Sequence, residues 1–477
     1  MAGARTSLGR NVIWLMAAHV AYVASAFTVV LVVSRAFGPE PLGTWRFAQA
    51  LLSIGVVTAD AGITAVAIRD VAAARGVLAR YEGPAIAIRL VLATVLTVVL
   101  AVGLLVGGSP DAAFILVAFL GVFPAALSLA HLLHGLQRLT DVAKTRLVAQ
   151  VGGSLIGLLA LLLTGQLVAL VLPTLILGLG VDWWIVRMLR GAPRAEEPPI
   201  DGSRTVAVLR AGAPFLSASL AIQLVTSADA ILIGVILGAQ ELGIYAAAYV
   251  IAGQLLLLAG PVAAAIYPRL SSASDASDGP RVLLGALNLI GAVAWPVCLS
   301  AAILAPVIIG ILYPPDYAAA APLLATLLGM TVIGYYNAIA TVALNSIGRQ
   351  AAVMSVAWLA AGVNVTANIL LIPRFGVAGA AATALATEVV TAVAYTVLLR
   401  PRFALHPIRN YLSGLPHAAI SGVLLALLMA AGVPVFVAGL VSASAWFALA
   451  WVRPSRGHER LRAIMLDRLR IAWTRGS

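Results

Sequence analysis

Three carboxylates, Asp60, Asp229 and Glu388, stand inside long apolar stretches of the chain, and three arginines, Arg35, Arg46 and Arg89, stand at or near the ends of such stretches. A charged acid at mid-bilayer costs roughly 2.5 to 3.5 kcal/mol on insertion scales, so each needs a wet cavity, a partner or a proton. Polar residues accompany them at helical spacing. Arg46, Gln49, Ser53, Asp60 and Thr64 form one stripe; Ser219, Gln223, Thr226 and Asp229 form a second. Asn337, Thr341 and Asn345 form a third, and Thr383, Thr387, Thr391 and Tyr395, with Glu388 beside them, a fourth. Such faces turn away from lipid and could line a cavity that binds a ligand or couples an ion. Guanidinium groups suit phosphate, and acids take up H+ or Na+. The alternative is structural: Ser, Thr, Asn and Gln also bond helix to helix, and terminal arginines snorkel to headgroups.

Catalytic and metal-binding constellations fail on context. His131 and His134 are three residues apart with no carboxylate or thiol close in sequence, the usual mark of an interfacial helix end rather than a metal site. Asn364-Val365-Thr366 matches a glycosylation sequon but lies within an apolar run. The single cysteine, Cys298, allows neither an intrachain disulfide nor a thiolate metal site. No enzyme, cofactor or metal is expected.

The elements that must position these residues are membrane helices. The 477 residues are 62% hydrophobic and only 10% charged, with a mean hydropathy of +1.04, too apolar for an ordinary soluble domain. A span needs about 20 apolar residues, and hydropathy with turn signals reads as fourteen spans. The first apolar run continues to about Val33, too long for a cleaved signal, and reads as a retained helix. The net charge of +12 does not indicate nucleic acid. Of 30 basic residues, 27 fall in alternate gaps between spans, leaving only Arg35, Arg46 and Arg374 on the other side. By the positive-inside rule both termini are cytoplasmic.

The longest polar interval, 191–205, divides helices 1–6 (1–190) from helices 7–12 (206–400). Helices 13–14 (401–453) and a basic amphipathic tail (454–477) follow. Gly38-Pro39-Glu40-Pro41-Leu42-Gly43-Thr44-Trp45 is echoed 200 residues later by Gly238-Ala239-Gln240-Glu241-Leu242-Gly243-Ile244-Tyr245. Each copy follows the first helix of its half. Six helices separate them, so the halves share one orientation about an axis along the membrane normal. The expected fold is all-α and polytopic: two six-helix lobes and two C-terminal helices.

Motifs in this order resemble the Wzx-like polysaccharide flippases of the multidrug/oligosaccharidyl-lipid/polysaccharide exporter superfamily. They include Ser34-Arg35 through Leu42-Gly43, Ala59-Asp60-Ala61-Gly62, Gly135-Leu136-Gln137-Arg138 and Gly212-Ala213-Pro214. Asp229 with Ile231 to Gly234, Pro268-Arg269-Leu270, Ile311-Leu312-Tyr313 with Asp316-Tyr317, Asn364, Asn368, Pro373, Gly376 and Gly379-Ala380-Ala381 complete the set. The resemblance implies alternating access around a central cavity and a polyprenyl-pyrophosphate-linked glycan flipped from the inner to the outer leaflet for surface polysaccharide synthesis.

The expected substrate-cavity residues are Arg35, Arg46, Gln49, Asp60, Arg89, Gln223, Asp229, Asn337, Thr341 and Glu388. Pyrophosphate is expected near Arg35, Arg46 and Arg89, sugars at the amide and hydroxyl stripes, and H+ or Na+ at the acids. Membrane lipids and membrane proteins of the glycan pathway are the other expected partners, and the cell membrane the location. The second lobe carries few intramembrane cations, a departure from the family pattern. The alternatives are an ion-coupled multidrug antiporter of the same superfamily and, more remotely, a membrane glycosyltransferase or polymerase.

Overall fold

The computed structural model describes residues 20–21, 23–74, 78–190, 202–272, 278–403, 407–452 and 459. The 454–477 tail, except residue 459, and most of the 191–205 interval lie outside them. Every regular element among the described residues is helical. Apolar runs in lipid leave a backbone no other way to satisfy its polar groups without closing a barrel.

By length and composition ten of these helices can cross a membrane, or eleven if one bent pair counts as a single span. The fourteen expected from sequence differ from this at three places. Val23–Phe37 (α1) and Ala112–Leu127 are apolar but short. Gln350–Phe403 counts once although its 54 residues would extend about 80 Å as a single helix, well beyond a hydrocarbon core of about 30 Å. Gly376 breaks it, at φ 60° and ψ −146°.

The chain divides into two compact units, Met1–Ala246 and Ala247–Ser477. In the first, the stripe read as one helix from 45 to 67 is two: α2, Pro39–Asp60, and α3, Ile63–Ala73, bent by 48°. Ala61 and Gly62 take φ of 51° and 74° at the break. Glycine is needed at 62 because a Cβ there would collide with the Gly212 carbonyl. The helices that follow are α4 (Pro84–Val106), α5 (Ala112–Phe119), α6 (Val122–Leu127), α7 (Ala130–Gly135), α8 (Leu139–Arg146), α9 (Gly153–Thr164) and α10 (Val168–Leu189). A π-helical turn, Leu147–Gly152, joins α8 to α9. The run expected as one helix from 112 to 134 is thus α5, α6 and α7, with Ser128 extended at φ −65° and ψ 127° between the last two.

Ile63, Val66, Val71, Leu132, Leu133, Ile185 and Leu189 form a core among α3, α7 and α10. A second core, with Ala59, Ala93, Phe119 and Val122, joins α2, α4, α5 and α6. α11, Gly202–Ile236, packs on α2 and α3, and α12, Ala239–Leu257, begins in this unit. Contact therefore places α11 with the first six helices, whereas the polar interval precedes it in sequence.

In the second unit, α13 is Ala259–Ser271, α14 Asp278–Ile303, α15 Ala305–Leu312, α16 Ala320–Ser346 and α17 Gln350–Phe403. α18, Leu415–Ala430, and α19, Val435–Val452, close the described chain. α16 is its centre: 72% of its apolar window is buried, against 17% for α19. α18 packs on α14, and the Tyr411 hydroxyl reaches the Val332 carbonyl of α16, so helices 13–14 belong to this unit.

Candidate functional site: two buried polar clusters

The first cluster grows from the break between α2 and α3. Asp60 ends α2, where its carboxylate reaches over the break and accepts from the Thr64 hydroxyl at 2.6 Å and the Thr64 amide at 3.3 Å. The amide is one of the donors a helix start leaves unsatisfied. Asp60 Oδ1 also lies 2.7 Å from Arg89 Nη2, in an ion pair between a 27% exposed carboxylate and a 2% exposed guanidinium.

Arg89 therefore does not snorkel, although it lies only two turns into α4. It donates to Thr64 Oγ1 at 2.8 Å and to the Ser128 carbonyl at 3.3 Å. The latter group is exposed by the break between α6 and α7. Asp182 of α10 bonds the Ser128 side chain at the same break, and buried His131 lies beside it with Nε2 unpartnered. A cavity of about 250 Å³ opens next to the pair, lined by Asp60, Thr64, Arg89 and Ser219 among others. Ser128, His131 and Asp182 were not among the expected cavity residues. Only the break in the apolar run unites them, and hydropathy does not register it.

Further along α2 a second polar group faces α11. Gln223 Nε2 donates to Ser53 Oγ at 2.8 Å and Ser227 Oγ at 2.6 Å, and the two hydroxyls lie 3.3 Å apart. Asp229, 3% exposed, accepts from the Tyr245 hydroxyl at 2.6 Å, with Arg46 within electrostatic reach. Gln49 is half-buried on α2, and Arg35 is exposed at the end of α1.

The cluster of the second unit carries a different charge balance. Asn337 of α16 donates 2.6 Å to the Glu388 carboxylate and 2.9 Å to its carbonyl, and Thr341 bonds Tyr395. No ion pair reaches Glu388 among the described residues. Alongside, Asn368 donates to Asn364 at 3.1 Å, and Asn364 to Thr387 at 3.4 Å. Asn337 Oδ1, Asn368 Oδ1 and Thr383 Oγ1 are buried acceptors without partners. The structure thus brings Asp60 to Arg89 and Asn337 to Glu388, and places Arg46 within electrostatic reach of Asp229.

Many long apolar helices, with acids, amides and a guanidinium buried among them, define a multi-pass membrane protein. The profile of a family described as "Polysaccharide biosynthesis protein" matches residues 8–274. This is more than half the chain, which belongs to that family. Over 91 residues it is 37% identical to an uncharacterized membrane protein of Methanocaldococcus jannaschii, a match spanning 19% of this chain and only 18% of that relative. Its fold is that of the lipid II flippase MurJ in an inward closed conformation. The TM-score is 0.76 at 11% identity, over 92% of this chain and 98% of the other. It also matches an inward-facing multidrug resistance MATE transporter of the MOP superfamily, with a TM-score of 0.61 at 17% identity, over 80% and 94% of the two chains. Identities this low establish the fold alone.

Proposed function

We propose that this protein flips a polyprenyl-pyrophosphate-linked glycan from the inner to the outer leaflet of the cell membrane by alternating access, as a transporter rather than an enzyme. The observation that carries the reading is membership of a polysaccharide biosynthesis family in a chain with the fold of a lipid-linked glycan flippase. The two six-helix lobes, the cytoplasmic termini and the partnership with glycan-pathway membrane proteins belong to the same proposal. Within it, Arg35 and Arg46 attract the pyrophosphate, because a guanidinium matches phosphate oxygens in bidentate geometry. Arg89 contributes less net charge, since Asp60 already neutralises it. The amides of Gln49, Gln223 and Asn337 and the Thr341 hydroxyl serve sugar hydroxyls, and Asp60, Asp229 or Glu388 couples H+ or Na+.

Deleting the gene should accumulate lipid-linked glycan on the inner leaflet and remove the surface polysaccharide, with the unaltered chain restoring it. Arg46→Ala should insert normally yet export at least about tenfold less, the loss expected of a charge-assisted contact of 1.5 kcal/mol or more. Unchanged surface polysaccharide in the deletion strain overturns the substrate. The multidrug antiporter is the second reading, favoured by Glu388, an acid with no cation paired to it among the described residues, and by the MATE fold. Drug resistance on overexpression, with normal glycan levels on deletion, selects it.

A further inference from the structure

The cavity beside the break between α2 and α3 lies wholly within the first unit, and the Asp60–Arg89 pair is part of its lining. Its volume of about 250 Å³ falls below the roughly 300 to 1,000 Å³ of sites that take drug-sized ligands. That is the scale of one ring. Val56, Val57, Ala125 and Leu216 supply apolar walls, and exposed Ser219 opens the space to water.

Charge decides what such a space accepts. The carboxylate and the guanidinium cancel, and the Arg89 side chain is almost wholly covered. A ligand with a net charge would bring in a charge with no counter-ion, at the cost of removing that charge from water. Hydrogen-bonding capacity, in contrast, is left over. A carboxylate offers about four acceptor positions. Asp60 Oδ1 takes Thr64 Oγ1 and Arg89 Nη2, but among the described residues Oδ2 takes only the Thr64 amide, at 3.3 Å. Asp60 is the more exposed member of the pair, so a ligand can reach this acceptor. Arg89 Nε is a buried donor without a partner among the described residues. A sugar ring suits both parts of the cavity, with hydroxyl or acetamido N–H groups toward Asp60 and C–H faces toward the apolar walls.

We propose that this cavity is a subsite for one uncharged sugar of the glycan, with Asp60 accepting from its hydroxyl or acetamido N–H groups and Arg89 acting as a positioning residue that cancels the carboxylate's charge. The proposal rests on the glycan reading above, narrows it to an uncharged sugar in preference to a uronate, and leaves ion coupling to Asp229 or Glu388.

The test uses the purified full-length protein in nanodiscs, with Cys298→Ser and with Ser219→Cys as the reporter. The probes are free N-acetylglucosamine and glucuronate, each titrated to about 100 mM. N-acetylglucosamine should slow alkylation of position 219 by a water-soluble maleimide, about threefold at twice its Kd, and glucuronate should leave the rate unchanged. Absence of protection by N-acetylglucosamine, or equal protection by glucuronate, overturns the subsite. Ala125→Leu fills the cavity without touching the pair and should abolish protection; protection that survives it places the sugar elsewhere and overturns the assignment. Asp60→Asn leaves the charge of Arg89 uncompensated, so the preference should reverse, with glucuronate protecting about threefold or more. An unchanged preference in that variant overturns the charge argument. Protection in a protein whose deletion leaves surface polysaccharide intact keeps the subsite and removes the flipping reading. Loss of polysaccharide on deletion, with no protection by either sugar, removes the subsite alone.

Discussion

Asp60 in the first unit and Glu388 in the second pose the same problem, an acid within apolar helices, and the protein answers it differently in each. Asp60 has a guanidinium 2.7 Å away and a hydroxyl at 2.6 Å. Glu388 has an amide at 2.6 Å and no ion pair among the described residues. A buried ion pair is costly to break from one side, because the survivor is left charged and unpaired, by about 3 to 5 kcal/mol. An acid held by an amide tolerates a neutral isostere, since the acceptor oxygen persists. The members of the first cluster therefore depend on one another, whereas in the second a neutral isostere of Glu388 keeps the contact to Asn337.

Arg89→Ala gives the largest expected effect in testing this contrast. It removes the cation from Asp60 and the donor from the Ser128 carbonyl, and should destabilise the protein by about 3 to 5 kcal/mol in denaturant unfolding in mixed micelles. Adding Asp60→Leu to Arg89→Leu should recover much of the loss of either single change, because the double variant leaves no unpaired charge. If the losses simply add, the two residues do not function as a pair. Asp60→Asn keeps an acceptor for Arg89 but not the charge, and should cost about 1.5 to 3 kcal/mol by the same measurement. Glu388→Gln should cost about 1 kcal/mol or less while lowering any ion dependence of transport in vesicles. A loss matching that of Asp60→Asn would erase the distinction between the clusters. Gln223→Ala, which removes two hydrogen bonds where α11 meets α2, should cost about 1.2 kcal/mol at about 0.6 kcal/mol per bond, close to the loss from Glu388→Gln.

Much of this was legible in one dimension. Hydropathy located the helices, and helical spacing grouped Ser53 with Asp60, and Gln223 with Asp229, because each pair shares one helix. The repeat at 38–45 and 238–245 was visible as spelling. The close approach of Gly43 to the Ala239 carbonyl and of Gly243 to that of Pro39 was not, since which backbone approaches which depends on helix packing. The break at Ala61-Gly62 also escaped the apolar pattern, which runs on through it; glycine suits both the positive φ and the close approach of the Gly212 carbonyl there.

The sequence by itself determined that the chain resides in a membrane, that its polar residues lie on helix faces, and that it belongs to a polysaccharide biosynthesis family. These follow from residue type and spacing, which act locally. Tertiary structure alone decided that Arg89 turns inward to Asp60 instead of outward to headgroups, that Ser128 and Asp182 join its neighbourhood, and that Glu388 is held by an amide and not by a cation. The physical reason is the same in each case. A charge in a low-dielectric interior is governed by whichever group packing brings within about 3 Å, and the rotation and bending of separate helices set that distance.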